Sequence, residues 1–250
     1  MSALKGLNIL DFSGLLPAPY GTRILADMGA NVLRVEAPTR PDMVRVMPPF
    51  DDQGLSAAHG SLNRNKNSIV VDLKTPEGVA IIKKLIETYD IIVEQFRPSV
   101  MARLGLGYED LKKINPRLIY CAVTGYGQQG AYKNRAGHDL NYLAIAGILD
   151  YTGRKTTGPM PLPIQAADIT GGLYAVTGIL AAVIHRQTTG EGQFVDVSLT
   201  DAAMPTIKTI AKSAFIGLLR ITLPYVAKHI RAEEVVASIG TTQGISVGAL

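Results

Sequence analysis

The sequence predicts an α/β protein built on an open parallel sheet. Two observations carry this. Over residues 1–125, short apolar segments alternate with segments of helical character, and strands separated by helices form parallel βαβ units. The junctions also carry helix punctuation, such as Pro19 and Thr75-Pro76 near helix starts and Gly29 at a helix end.

Taken in order, LNILDF (7–12) reads as the first strand. Residues 19–28 suit a helix that Gly29 ends, and NVLRVE (31–36) is the second strand. SIVVDL (68–73) is the third. Thr75 as N-cap and Pro76 at the first helical position open a helix to about Thr88. DIIVE (90–94), a short helix near 108–114 and RLIYCAVTG (117–125) follow. Ligands on such a sheet bind outside the carboxyl ends of the strands.

The pattern then changes. A Gly-rich loop (125–137) leads to a helix over 138–149, and a loop rich in Gly, Thr and Pro spans 152–163. Residues 167–186 form a long helix with no charge between Asp168 and His185, which predicts burial. QFVDVSLTD (193–201) is a strand running into a helix. Residues 206–230 have amphipathic helical character, and GISVGAL (244–250) reads as a strand cut off at the terminus, as if more were to follow.

The composition sets limits. With 250 residues, 47% hydrophobic and 18% charged, the chain is globular rather than disordered. No 18-residue uncharged apolar run and no signal peptide are evident, so neither a membrane span nor export is expected, and cytoplasm is the default compartment. A single cysteine, Cys121, excludes an internal disulfide framework and a cysteine-based zinc site, and no metal is expected. The net charge of +4 is spread out with no aromatic-rich basic ribbon, which disfavours nucleic acid. A phosphate-bearing small ligand needs only a few cations and stays compatible.

Familiar nucleotide and hydrolase motifs are missing. SGLLPAPYG stands after the first strand where a G-x-G-x-x-G would sit, and no P-loop, H-E-x-x-H or G-x-S-x-G occurs. Two other places carry chemistry. Asp168 falls at a helix N-terminus, where a plain capping role would account for it. Gly171 and Gly172 lie one turn later, and each costs about 1 kcal/mol of helix propensity unless a ligand or another backbone must come close. His138 opens the 138–149 helix. It is either a structural residue of a loop–helix junction or a general base near neutral pH, with the helix's first N–H groups beside it to hold an oxyanion. Arg64, Lys66 and Lys74 around the third strand, and Phe96, Arg97 and Arg103 beyond the fourth, are either solvated loops or an anion and adenine site.

Six segments decide among these readings: LKGLNILDFSGLLPAPYGTRILADMGANVLRVEAP, NRNKNSIVVDLKTPEG, NPRLIYCAVTGYGQQG, GHDLNYLAIAG, ADITGGLYAVTGILAA and TGEGQFVDVSLTDAA. In this order, over residues 4–203, the chain resembles the family III CoA-transferases, the group that holds formyl-CoA and carnitine CoA-transferases and α-methylacyl-CoA racemase. The resemblance implies a Rossmann-like large CoA-binding domain over 1–203. Residues 204–250 would be a linker and the start of a second small domain that is incomplete here. The GHDxNY pattern resembles the racemase branch, in which this histidine and the aspartate of AD-x-x-GG are catalytic; here they are His138 and Asp168. The implied reaction is 1,1-proton transfer at the α-carbon of a 2-methylacyl-CoA through an enolate, with the Asp139 N–H on the enolate oxygen. The transferase branch implies instead that Asp168 attacks an acyl-CoA. Implied CoA contacts are Val71, Asp72, Leu73 and Lys74, then Gln95, Phe96, Arg97 and Arg103, then Gly137, Asp139, Leu140, Asn141 and Tyr142. The CoA thioester is a substrate, and no tightly bound cofactor is implied.

The resemblance has three departures. Glu36-Ala37-Pro38 lacks the family's adenine-stacking arginine, which Arg40 could replace. Residues 206–242 do not follow the family's linker. The glutamate that orients the histidine in racemases would follow GISVGAL. Family members form interlocked homodimers, a closure that a chain without the return segment would lack, so an inactive truncated family member is the further alternative.

Overall fold

The computed structural model describes residues 2–206 and the backbone of residues 244–247. β1 (Asn8–Phe12) leads into α1 (Pro17–Asp27), whose early prolines sit where a missing N–H costs nothing. Gly29, at φ +99°, makes the left-handed turn into β2 (Asn31–Glu36). A 3-10 turn (Met43–Val46) and α2 (Ala57–Asn63) precede β3 (Lys66–Val70). Thr75 accepts the Gly78 N–H at 3.0 Å and starts α3 (Pro76–Leu85). β4 (Ile91–Glu94), the short helices α4 (Val100–Arg103) and α5 (Tyr108–Leu111), and β5 (Ile119–Thr124) follow. Then come α6 (Asp139–Ile145), the 24-residue α7 (Ala166–Thr189), β6 (Phe194–Ser198), α8 (Leu199–Ala203) and β7 (Gly244–Val247).

These strands form one all-parallel sheet in the order β3-β2-β1-β4-β5-β6-β7. Chain order reverses between β1 and β4, so the loops leaving their carboxyl ends diverge and open a crevice. The predicted open parallel α/β sheet is therefore present. Side chains alternate between two cores. Ile9, Val93, Cys121, Val123 and Val197 pack toward α1, α6 and α7; Leu10, Ile92, Tyr120 and Ala122 pack with Ile82, Met101 and Leu111 on the other side. Because both faces are covered, β5 is buried at all six positions.

α7 lies against α1 backbone to backbone. A Cβ on Gly172 would stand 2.5 Å from the Pro17 carbonyl oxygen, and one on Gly21 would stand 2.8 Å from the Gly172 carbonyl oxygen. A Cβ on Gly171 would strike the Leu199 side chain. Of the two reasons considered for these glycines, close approach of other protein segments is the one observed. Among the described residues, α7 alone is long and apolar enough to cross a membrane, and much of that stretch is buried in the core, as its uncharged run predicted.

Several boundaries differ from expectation. The third strand begins at Lys66 and ends at Val70 rather than running 68–73. Asp72 Oδ1 accepts the Lys74 N–H at 3.0 Å and bends the chain into a turn before Thr75. The long helix ends at Thr189, where Gly190 takes φ +83°. α2 went unpredicted because it buries no residue and so has no apolar stripe to read. The strand expected at 244–250 appears as β7, parallel to β6. The helix expected over 206–230 lies, after Thr206, outside the described residues.

Candidate active site

In a parallel sheet, a helix that feeds a strand starts at the carboxyl edge of the sheet. α7 feeds β6, so its first turn, with Asp168, sits at that edge beside the long β5–α6 loop. Asp168 is the third residue of α7, not its cap as the simplest reading had it, and Gln165, the residue ahead of the helix, makes no side-chain capping bond. The cap comes from another helix. Asp139 Oδ1 accepts the N–H of Ala167 at 2.7 Å and of Asp168 at 3.1 Å. His138 is covalently next to Asp139, so one residue ties the two predicted catalytic groups together. His138 is exposed, and its backbone N–H donates to Asn141 Oδ1 at 3.0 Å.

Asp168 is buried at 7% exposure. Burial, joined by the negative charge of Asp139, pushes its carboxyl up to about 7. Burial raises Asp139 too, against the two N–H groups that favour its charged form. Gln165 Nε2 donates to Asp168 Oδ2 at 3.3 Å. Tyr142 forms the wall: its hydroxyl donates to the Gly137 carbonyl at 2.6 Å, and a Cβ on Gly125 or Gly137 would strike its ring. The glycines of GHDLNY and VTGYG thus make room for this ring. Burial raises the Tyr142 phenol to about 12, as does the nearby Asp168, while Arg97 opposes the rise. Arg97 therefore acts electrostatically on the same corner.

The other predicted contacts follow the carboxyl edge. Lys74, Arg97 and Arg103 are exposed, and among the described residues no ion pair engages them. Leu140 and Asn141 are exposed on α6. Val71 is buried in the core and Leu73 packs against the same core, so the Val71 side chain faces inward. Gln95 Oε1 accepts the Ala18 N–H at 3.2 Å, fixing the turn after β4 to the start of α1. Gln95 and Phe96 line a cleft of about 330 Å³ at the divergence of β1, β2 and β4, together with Gly14, Arg34, Glu36 and Arg40.

Two predicted cations are paired with acids. Lys66 is 1% exposed and bonds Asp11 Oδ2 at 3.1 Å, Thr22 Oγ1 at 2.8 Å and the Pro19 carbonyl at 3.1 Å. It neutralises a buried acid whose own hydroxyl partners are Thr22 and Ser13. Arg64 forms a forked pair with Asp27, at 2.6 Å and 3.0 Å. Both sit toward the outer strand, where they lock β3 to α1.

The sequence reading missed two groups that shape this edge. Glu94, the last residue of β4, is buried, accepts the Phe96 N–H at 2.7 Å and is pushed by burial up to about 8. Its position after IIV was the one signal it gave. Arg34 and Asp42 form a buried pair at 2.5 Å, and Asp42 also accepts the N–H groups of Leu15 and Val44. This pair fixes the loop that walls the cleft. Among the described residues, no group of three or more His, Cys, Asp or Glu side chains could hold a metal ion.

A buried acid, an exposed histidine and cations without ion pairs thus lie in the loops and helix ends around an open parallel sheet, and ligands of such sheets bind outside the carboxyl ends of the strands. The sequence pattern of CoA-transferase family III matches residues 4–218. The chain belongs to that family. It is 43% identical to a succinate–glutarate CoA-transferase of Agrobacterium fabrum over 204 residues, 79% of this chain and 51% of the relative. It is 40% identical to the human α-methylacyl-CoA racemase over 201 residues, 80% of this chain and 48% of the relative. The crystal structure of a CAIB/BAIF family protein from Brucella suis superposes with a TM-score of 0.82 at 36% identity, covering 86% of this chain and 58% of that one. The chain spans about half the length of the curated relatives it matches.

Proposed function

We propose that this chain carries the catalytic face of an enzyme that epimerises 2-methylacyl-CoA thioesters by 1,1-proton transfer. His138 and Asp168 stand on opposite sides of the α-carbon. One removes the α-proton, the C–H electrons pass into the thioester carbonyl as an enolate, and the other group returns a proton to the opposite face. The Asp139 N–H, first in α6 and so without an acceptor in that helix, would donate to the enolate oxygen. Lys74, Arg97 and Arg103 would meet the CoA phosphates, and Gln95 and Phe96 with Arg40 the adenosine end. The other CoA contacts, residues 71–73 and 137–142, would border the chain between. No tightly bound cofactor is called for, and a homodimer is the proposed assembly.

The observation that carries this reading is a buried Asp168, its carboxyl pushed up to about 7, whose N–H is held by Asp139, the chain neighbour of exposed His138. A carboxyl raised to about 7 holds and releases a proton near neutral pH, as a group that both removes and returns one must. A second reading is favoured by the relatives named as CoA-transferases. In it the Asp168 carboxylate attacks the acyl-CoA carbonyl and expels CoA thiolate to give a mixed anhydride; the thiolate then attacks the aspartyl carbonyl, releasing the donor acid as its carboxylate and leaving an aspartyl-CoA thioester.

The test is incubation with a 2-methylacyl-CoA in deuterated water, followed at C2 by mass spectrometry. Deuterium uptake that is lost in His138→Ala supports proton transfer. CoA binding without uptake, together with CoA exchange onto dicarboxylic acids that survives His138→Ala, would establish the transferase instead.

A further inference from the structure

In the proton-transfer reading, when His138 removes the α-proton Asp168 must hold the proton that is returned, and the Asp139 side chain lies against the Asp168 backbone. Asp139 is 9% exposed and Asp168 7%. The Asp139 carboxylate reaches across 28 and 29 residues of chain to hold the Ala167 and Asp168 N–H groups. Among the described residues no ion pair reaches either carboxylate. The groups facing Asp168 are Asp139 and the Tyr142 phenol from α6 and the Gln165 amide just ahead of α7, with His138 beside Asp139 in the chain and Arg97 acting on Tyr142. The two acids share one helix end, but only Asp139 takes its N–H groups. Burial raises Asp139 as well, but these two N–H groups favour its charged form, and beside that charge a second buried charge on Asp168 is disfavoured.

Resting on the proton-transfer reading, we propose that the Asp139 side chain is a positioning residue with two separable tasks: its oxygen anchors the first turn of α7, and its negative charge retains the proton on Asp168. Asparagine separates these tasks. Its carbonyl oxygen still accepts both N–H groups, while the charge is gone. Serine is a second neutral acceptor, and alanine removes both tasks.

The experiment is a carboxyl ¹³C NMR titration of the 250-residue chain labelled at Asp Cγ, without substrate, with the Asp168 resonance assigned by its loss in Asp168→Asn. In Asp139→Asn the Asp168 midpoint should fall by about 1 pH unit, with the melting temperature near that of the parent. Asp139→Ser should show the same fall. Asp139→Ala should show the fall and a clear loss of melting temperature. An unchanged Asp168 midpoint in the Asn and Ser variants overturns the charge role. An Asn variant as unstable as the Ala variant overturns the anchoring role. Because the titration needs no turnover, a midpoint that falls in a protein with no α-proton exchange counts against the racemase reading alone. Exchange in the parent with no fall counts against Asp139 alone.

Discussion

Replacing Asp168 by asparagine should make this protein more stable, and only above mildly acidic pH. The Asp168 carboxyl is raised from 3.8 to about 7 by burial and by Asp139. The folded state therefore binds this proton more tightly than the unfolded chain, and stability linked to it is full below about pH 4 and is lost as pH climbs to about 7. At about 1.36 kcal/mol per pH unit the whole linkage is about 4 kcal/mol. Water entering the open edge screens part of that, so about 2 kcal/mol is the expected gain at pH 8. The asparagine would keep the backbone bond to Asp139 and an acceptor for Gln165. Urea unfolding of both proteins at pH 5 and pH 8 measures it: the advantage of Asp168→Asn should be small at pH 5 and large at pH 8. A difference that is the same at both pH values, or that favours the parent at pH 8, would refute the reasoning. The result would mark Asp168 as a site where the fold gives up stability for a poised group.

Other outcomes follow from the packing. Gly172→Ala should destabilise by about 1–3 kcal/mol, because a Pro17 carbonyl at 2.5 Å cannot move aside; this outweighs the roughly 1 kcal/mol gained in helix propensity. An unchanged or higher urea midpoint would contradict the α1–α7 contact. Lys66→Met should cost about 3–5 kcal/mol by stranding buried Asp11, and adding Asp11→Asn should recover much of it; CoA affinity of whatever remains folded should not change if Lys66 is structural only. Arg97→Ala and Arg103→Ala should each weaken CoA binding by roughly tenfold and flatten its salt dependence, measured by calorimetry at two ionic strengths. Binding that ignores both substitutions would move the phosphates elsewhere.

The sequence showed the sheet because each strand announces itself locally. β1, β2, β4 and β5 are apolar runs bounded by turn residues, and Thr75-Pro76 marks the start of α3 within a residue. β3 was placed two residues late because Lys66, which serves buried Asp11, and the exposed Asn67 are polar, so the apolar run underreports it. The candidate site was legible as residue types: an aspartate at a helix start, a histidine before another, arginines after a strand.

What each of those residues touches was not. The sequence by itself determined the α/β class, the parallel strands and the positions of Asp168 and His138, since short-range periodicity and helix-end chemistry are written within a few residues. Only the tertiary structure decided that Asp139 rather than Asp168 caps α7, that Lys66 serves Asp11 from 55 residues away rather than a phosphate, and that Gly171 and Gly172 admit protein rather than ligand. Those pairings depend on which strands become neighbours. The sheet order brings together segments far apart in the chain, and burial then assigns each polar group the partner it must have.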